Sequence, residues 1–434
     1  MFYSDALSVA NGRLTIGGAD VLSIAGEFGT PVYIMDEGHI RNTCRAFIAS
    51  LKKHYGDNTA CAFASKAFSC AYMYKILKDE GMMTDVVSGG ELHTANIAGF
   101  DLSKVYFHGN SKTKTEIDLG LKLGVGRFVV DNFEELELLN GCAASQGITA
   151  DISIRVKPGI EAHTHEFVQT GQEDSKFGVS LASGEAIKLV ARALELKNLR
   201  PVGINCHIGS QIFETEPFAL AGERLFGFIN EVREKLEYEL DEINLGGGFG
   251  IKYVENDAPR TIDDYISILC GAIKNAAQAA GCPLPRLVIE PGRSIVASTG
   301  ITVYRVSSVK NIPDIRNYAL IDGGMGDNPR YILYGSEYEA LLPDRPEAAK
   351  TTRYTIGGRY CESGDYVIKD IMMPEIKPGD YIAVLATGAY NYAMAMNYNR
   401  VPRPPVVMVR DGEIKLAVRR ETYEDVASCD IIDW

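Results

Sequence analysis

Residues 60–90 read ACAFASKAFSCAYMYKILKDEGMMTDVVSGG. The stretch opens with an apolar run, Ala60–Ala64, that breaks at once into Ser65-Lys66. A second short run, Asp85–Val87, breaks into Ser88-Gly89-Gly90. Short, nearly continuous apolar runs are what parallel strands buried on both faces require. The figure recurs at Lys104–Phe107, Phe128–Val130, Ile152–Val156, Val202–Cys206, Glu242–Leu245 and Leu287–Ile289. Unusual polar or glycine-rich residues accompany these runs: His108-Gly109, Asp131-Asn132, Arg155, His207, Gly246-Gly247-Gly248 and Glu290. Segments of helical period lie between them, among them Glu134–Ala144, Glu185–Ala193 and Tyr265–Ala279. Ahead of the first run, Ile40, Cys44, Phe47, Ile48 and Leu51 recur on one face of a 3.6-residue period.

Eight strand-and-helix units in about 250 residues is the arithmetic of a (β/α)8 barrel. An open doubly wound sheet shares that periodicity, but it would spread the polar breaks along a line. A barrel gathers all eight carboxyl-terminal strand ends at one mouth, where such enzymes keep their chemistry. The expected fold is therefore α/β, a TIM-like barrel over residues 36–295. After Ser294 helical periods fade, and short β-type runs (Thr302–Val306, Tyr318–Ile321, Tyr366–Ile368, Tyr381–Leu385, Val406–Val409) alternate with turns such as Pro378-Gly379-Asp380. Residues 1–35 and 296–434 are assigned to this second domain, a β-sandwich or β-barrel.

The chain has 434 residues, 46% of them hydrophobic, which exceeds the usual size of a single core. Its net charge is −13, and no basic run is longer than Lys52-Lys53 or Arg419-Arg420. Such a surface repels nucleic acid and anionic membranes, so the expected partners are small molecules or a second copy. The amino terminus lacks a signal-peptide pattern, and no apolar stretch reaches the roughly 18 residues of a membrane helix. Nine irregularly spaced cysteines without a CxxC pair suggest reduced thiols in a cytoplasm rather than disulfides or zinc.

Several residues carry chemical potential. A strand-end lysine such as Lys66 often snorkels to solvent, but a partly desolvated one has a lowered pKa and condenses with an aldehyde. His207 could lay a flat imidazole beside a cofactor ring, with Ser210 three residues on to meet a phosphate. Gly246-Gly247-Gly248 lacks the Cβ atoms that keep backbone N–H groups from a phosphate, although tight turns need glycine too. Glu290 is either the partner of Arg293 or a carboxylate for a pyridine nitrogen. In Cys361-Glu362-Ser363-Gly364-Asp365 a turn sequence also presents a thiol and a carboxylate, and Gly388-Ala389-Tyr390 is similarly double-edged. Glu161-Ala-His163-Thr-His165-Glu166 offers an HxH pair, but metal-dependent barrels usually carry that pair after the first strand and this one follows the fifth. No metal is expected.

Taken in order, the lysine in FASK, Arg155-Val-Lys157-Pro158-Gly159 through Thr170-Gly171-Gln172 to Ser175-Lys176-Phe177-Gly178, HIGSQ, GGGFG, EPGR, Asp322 to Gly335, CESGD and GAY resemble the fold-type-III pyridoxal-phosphate decarboxylases of alanine-racemase-like fold. Within them, the likeness is to the diaminopimelate decarboxylase family. It covers nearly the whole chain. The resemblance implies pyridoxal 5'-phosphate held at Lys66, with His207 stacked on the ring and Glu290 at its nitrogen. Ser210, Gly247, Gly248, Gly292, Arg293 and Tyr390 would surround the cofactor. Arg293, Arg330, Tyr334, Glu362 and Tyr390 match the family's substrate contacts, and Cys361 is the candidate proton donor to Cα. A head-to-tail homodimer is implied, the β-domain of one copy completing the site of the other through Cys361 and Glu362. The chain departs from the common pattern at Phe68, Lys157, Asn205 and Pro329-Arg330-Tyr331; the first three are expected to touch no assigned role.

The implied reaction is meso-diaminopimelate to L-lysine and CO2. Ornithine, lysine or carboxynorspermidine decarboxylases share the fold but lack the same distal amino-acid group, for which Arg293 and Arg330 are suited. An alanine-racemase-like activity would place an arginine where Glu290 stands. A non-enzymatic descendant would be expected to lack Lys66 or Cys361.

Overall fold

The computed structural model describes residues 4–160 and 174–432. The HxH segment at His163 and His165 and the Thr170-Gly171-Gln172 stretch lie outside the described residues. The chain divides into two compact units, one of Met1–Asn42, Ile251–Asp257 and Arg293–Trp434, the other of Thr43–Gly250 and Ala258–Gly292.

The second unit is a closed parallel barrel. Its eight strands are Thr59–Ala64, Met83–Val86, Val105–Phe107, Arg127–Val130, Ala150–Lys157, Leu199–Asn205, Glu242–Asn244 and Arg286–Ile289. Each pairs in parallel with the next, and the eighth closes on the first through Leu287–Thr59, Val288–Ala60 and Ile289–Cys61. The apolar runs thus mark strands to within three residues, the widest gap being at Leu199–Asn205, because burial on both faces tolerates little else. Val87 falls outside its strand and is exposed.

Helices follow the strands, and their starts are written in the sequence. Ser88 Oγ accepts from Glu91 N–H at the head of Gly89–Ile97, and Asn132 accepts from Glu135 N–H at the head of Phe133–Gln146. Thr113 and Thr261 form reciprocal capping boxes with Glu116 and Asp264. Ser88 and Asn132, grouped above with the chemistry-bearing breaks, therefore act as helix caps. At the amino-terminal end of the barrel, Glu242 is buried and accepts from Tyr106 Oη (2.9 Å), Arg286 Nη1 (3.2 Å) and Arg127 Nη2 (3.4 Å). That ionic plug ties the third, fourth, seventh and eighth strands together, as befits the face of a barrel that serves stability.

The first unit is built on a β-sheet of mixed direction. Its central strand, Val32–Asp36, pairs antiparallel with Gly300–Val303 and parallel with Val406–Val409. Gly300–Ile312 runs for 13 residues. Its first half pairs with Val32–Asp36 and Tyr381–Val384, its second half with Arg316–Ile321 after a register shift between Val306 and Ser308. Leu14, Ile16, Val21, Ile24, Val32, Ile34, Ile301, Val303, Val407 and Val409 form its core. Thr352–Gly357 and Glu413–Val418 are strands the apolar pattern did not single out.

Candidate active site

In the barrel unit, Lys66 sits on a short 3-10 turn, Ser65–Ala67, immediately after the first strand. Its neighbours Ser65 and Ala67 are buried while Lys66 is exposed. A partly desolvated amine was expected; the turn instead carries this one beyond the last strand residue. Ser65 N–H donates to Asp85 Oδ1 at 2.9 Å, pinning the turn to the end of the second strand.

Two carboxylates lie at the mouth, and their environments push them apart. Burial and the charge of Glu290 drive the Asp85 carboxyl well above its ordinary range. Burial acts the same way on Glu290, but His108, Asn244 and Arg155 more than offset it and hold Glu290 below the usual carboxylate range. His108 Nε2 lies 2.8 Å and Asn244 Nδ2 2.7 Å from Glu290 Oε1, and Asn205 Nδ2 lies 3.4 Å from Oε2. Asn205 was expected to touch no assigned role; the structure points its amide at the Glu290 carboxylate. Phe68 is buried.

His207 follows the sixth strand. Burial, reinforced by Lys66, Arg155 and His108, pushes its imidazole well below the ordinary histidine range, so the ring is neutral. Its Nδ1 accepts from Gly247 N–H at 3.3 Å. A Cβ on Gly247 would lie 2.2 Å from the Glu290 carbonyl oxygen, and one on Gly248 (φ +117°) 2.6 Å from that of Gly209. These glycines let the ends of the sixth, seventh and eighth strands approach closely. Gly292 packs equally tightly, its would-be Cβ 2.8 Å from that of Ala64. Ser210 is half-buried in the loop after His207.

In the β-unit, Arg293 and Arg330 are both buried. Arg293 opens the short helix Arg293–Val296, and its Nη1 donates to Tyr253 Oη at 2.7 Å. Arg330 opens Arg330–Tyr334; its Nη2 donates to Ser336 Oγ at 3.3 Å and its Nε meets no partner. The Tyr390 ring lies 4.9 Å from the Arg293 guanidinium carbon and 5.5 Å from that of Arg330, and Arg330 also lies 5.3 Å from the Tyr334 ring. Tyr390 holds φ at +59°, a conformation that costs a non-glycine residue energy and tends to mark function. Tyr253 and Tyr338 complete the cluster, their rings edge to face at 5.6 Å. Burial pushes the Tyr338 hydroxyl up to about 12.

Cys361 and Glu362 are exposed on their turn. Cys361 N–H donates to Asn399 Oδ1, and Tyr398 Oη donates to the Cys361 carbonyl. The third residue of interest in that segment is structural: Asp365 is buried and accepts from Met325 N–H and Tyr360 N–H.

Residues 37–297 match the model of the pyridoxal-dependent decarboxylase pyridoxal-binding domain. The chain belongs to the pyridoxal-dependent decarboxylases. Its cofactor is accordingly pyridoxal phosphate, and the residues present fit that group: an exposed lysine, a histidine and a carboxylate both held below their ordinary ranges, and glycines whose close packing brings three strand ends together beside them. This decarboxylase is 44% identical to diaminopimelate decarboxylase of Halalkalibacterium halodurans, over 99% of this chain and 98% of that one. It is 45% identical to that of Bacillus subtilis, covering 97% and 96%. Among solved structures it superposes on diaminopimelate decarboxylase from M. jannaschii in complex with L-lysine, with a TM-score of 0.91 at 33% identity, covering 100% and 99% of the two chains.

Sequence reasoning singled out Lys66, His207, Glu290, Arg293, Arg330 and Tyr390, and missed the roles of Asp85, His108, Asn244, Tyr253 and Tyr338. A buried asparagine closing the short strand Glu242-Ile243-Asn244 was the available signal for one of them.

Proposed function

We propose that this decarboxylase removes the α-carboxylate from the D-centre of meso-2,6-diaminopimelate, giving L-lysine and CO2 in the last step of lysine biosynthesis. The arginine pair around Tyr390 carries the reading. The distal end of this substrate bears a carboxylate and an ammonium, so it needs a cation held ready. Arg330 is buried and has no carboxylate within ion-pair distance among the described residues.

When bound, pyridoxal phosphate supplies an electron-deficient ring that accepts the electron pair released as the C–CO2 bond breaks. Lys66 offers the amine for its aldehyde. Neutral His207 offers a flat face to its ring, and anionic Glu290 an acceptor for a protonated ring nitrogen. Ser210, Gly247, Gly248, Gly292, Arg293 and Tyr390 line the rest of its site. Arg293 and Arg330 with Tyr334 and Tyr390 grip the distal carboxylate of the substrate, and Glu362 its ammonium. Cys361 returns the proton to Cα.

The division of labour follows the chain. Residues 36–295 hold the cofactor, and residues 1–35 with 296–434 complete the site and the interface of a head-to-tail homodimer, in which Cys361 and Glu362 serve the second copy. No helix among the described residues is long and apolar enough to cross a membrane; the cytoplasm is the proposed compartment.

The test is purified holoenzyme offered meso-diaminopimelate, L-lysine, L-ornithine and D-ornithine separately, with CO2 and amine product followed. CO2 and lysine are expected from meso-diaminopimelate alone. Turnover of ornithine or lysine instead would keep the cofactor and Lys66 but overturn the roles of Arg293 and Arg330.

A further inference from the structure

Glu290 is 6% exposed, and side chains from three different strand ends point donors at it: His108, Asn205 and Asn244. The two asparagine amides can only donate through Nδ2. The histidine is different, because either ring nitrogen can carry the hydrogen. What decides the matter lies on the other side of the ring, where Arg155 Nη1 stands 3.5 Å from His108 Nδ1. A guanidinium has donors and no acceptor. His108 Nδ1 therefore keeps its lone pair, and the hydrogen sits on Nε2, aimed at Glu290 Oε1.

We infer that His108 is a positioning residue whose Nε2–H, fixed by Arg155, holds Glu290 anionic and oriented and so governs protonation of the cofactor's ring nitrogen. This rests on the reading of Glu290 as the partner of that nitrogen.

The electrostatics agree. Burial, together with Arg155 and Lys112, outweighs Glu290 and keeps the imidazole from taking a second proton. The charges facing His108 are Glu290, Arg155, Lys112 and Asp131; Asp85 also faces Glu290. Asp85 is the competitor, a second carboxylate ready to take the negative charge if Glu290 is deprived of a donor. Asp85, His108 and Glu290 also offer one ligand atom each within 4.8 Å of one another. Metal ligation through His108 Nε2 would strip the hydrogen that joins it to Glu290, so the hydrogen-bonded arrangement and a metal are alternatives.

The experiment compares wild type, His108→Phe, His108→Gln and Glu290→Gln, each reconstituted with pyridoxal phosphate labelled with 15N in the ring. Ring-nitrogen 15N shift is followed against pH, with kcat and KM measured on the same preparations. In His108→Phe the nitrogen is expected to lose its proton at a pH at least about one unit lower. Its kcat should fall about ten- to hundredfold, as for loss of one hydrogen bond to a charged group, with KM little changed. His108→Gln restores an N–H donor and should recover most of both. If the phenylalanine variant does not fold, His108→Asn, too short to reach Glu290, must shift the titration in the same direction. A wild-type titration in the His108 variants beside a shifted one in Glu290→Gln overturns the role of His108 alone. A wild-type titration in Glu290→Gln removes Glu290 from the ring nitrogen and the inference with it.

Discussion

In the barrel, most buried charges come in matched sets, although Arg127 Nε and Glu242 Oε1 meet no partner among the described residues and Asp85 faces a second carboxylate. Lys112 Nζ is buried and donates to Glu135 Oε1 (2.7 Å) and to the carbonyls of Gly109 and Val129. Glu290 is surrounded by donors, and Glu242 by two arginines and a tyrosine. In the β-unit, by contrast, Arg330 rests on tyrosine rings with a single hydroxyl partner and an unsatisfied Nε. Asp327 there is buried beside three tyrosines, and burial with its acidic neighbours pushes its carboxyl up to about 7. A charge balanced by the fold is held in one ionisation state, as Glu290 is; one left short of partners is available to a ligand or a proton.

Four measurements would break or sharpen that contrast. The largest effect is expected at Lys66, where substitution by alanine should lower kcat/KM by roughly 10^3-fold or more by removing the amine the chemistry requires. Near-normal turnover would mean that the essential amine lies elsewhere. Next comes Lys112→Met, which strands the Glu135 carboxylate in the barrel interior. Urea unfolding should register a loss of about 3–5 kcal/mol; a loss below about 1 kcal/mol would deny that the pair is locked.

The third concerns Asp327. Its folded pKa lies above the unfolded value, so the native state binds the extra proton and stability falls as pH rises through about 7. The contribution lost between pH 4 and pH 8 is at most on the order of 4 kcal/mol. Asp327→Asn should remove this slope from stability measured across that range, and an unaltered slope would exonerate the carboxyl. The smallest effect is assigned to Arg330→Ala: about a hundredfold loss in kcat/KM for meso-diaminopimelate, mostly in KM. Should it instead destabilise the protein as much as Lys112→Met does, Arg330 belongs to the fold rather than to a ligand.

The barrel was legible because its strands are local apolar runs with chemistry stationed at their ends; Ala60–Ala64 followed by Lys66 needs no partner to be recognised. The β-unit was legible only in outline. Val32–Asp36 is buried along its whole length, yet its neighbours in the sheet come from residues 300–303 and 406–409, and no local period announces such pairings. Glu413–Val418 has no fully buried residue, and its apolar residues are interrupted by Lys415. The site divides the same way. Lys66, His207 and Glu290 stand out as odd residues after strands, whereas the convergence of His108, Asn205 and Asn244 on one carboxylate is a property of strand ends meeting in space. Asp365, read from the sequence as part of a turn, is the most buried member of that turn and staples it through Met325 N–H and Tyr360 N–H.

The sandwiched position of Val32–Asp36 has a consequence for the chain as it leaves the ribosome. Its parallel neighbour, Val406–Arg410, is made some 370 residues later. At the roughly 5–20 residues per second of translation, that delay is about 20–75 s. Throughout it the sequence Val-Tyr-Ile-Met-Asp must stay apart from other nascent strands with at least one edge unpaired, the state most open to aggregation. Every barrel strand is complete by Ile289, so the domain that binds the cofactor can close well before the sheet begun at its own amino terminus is able to.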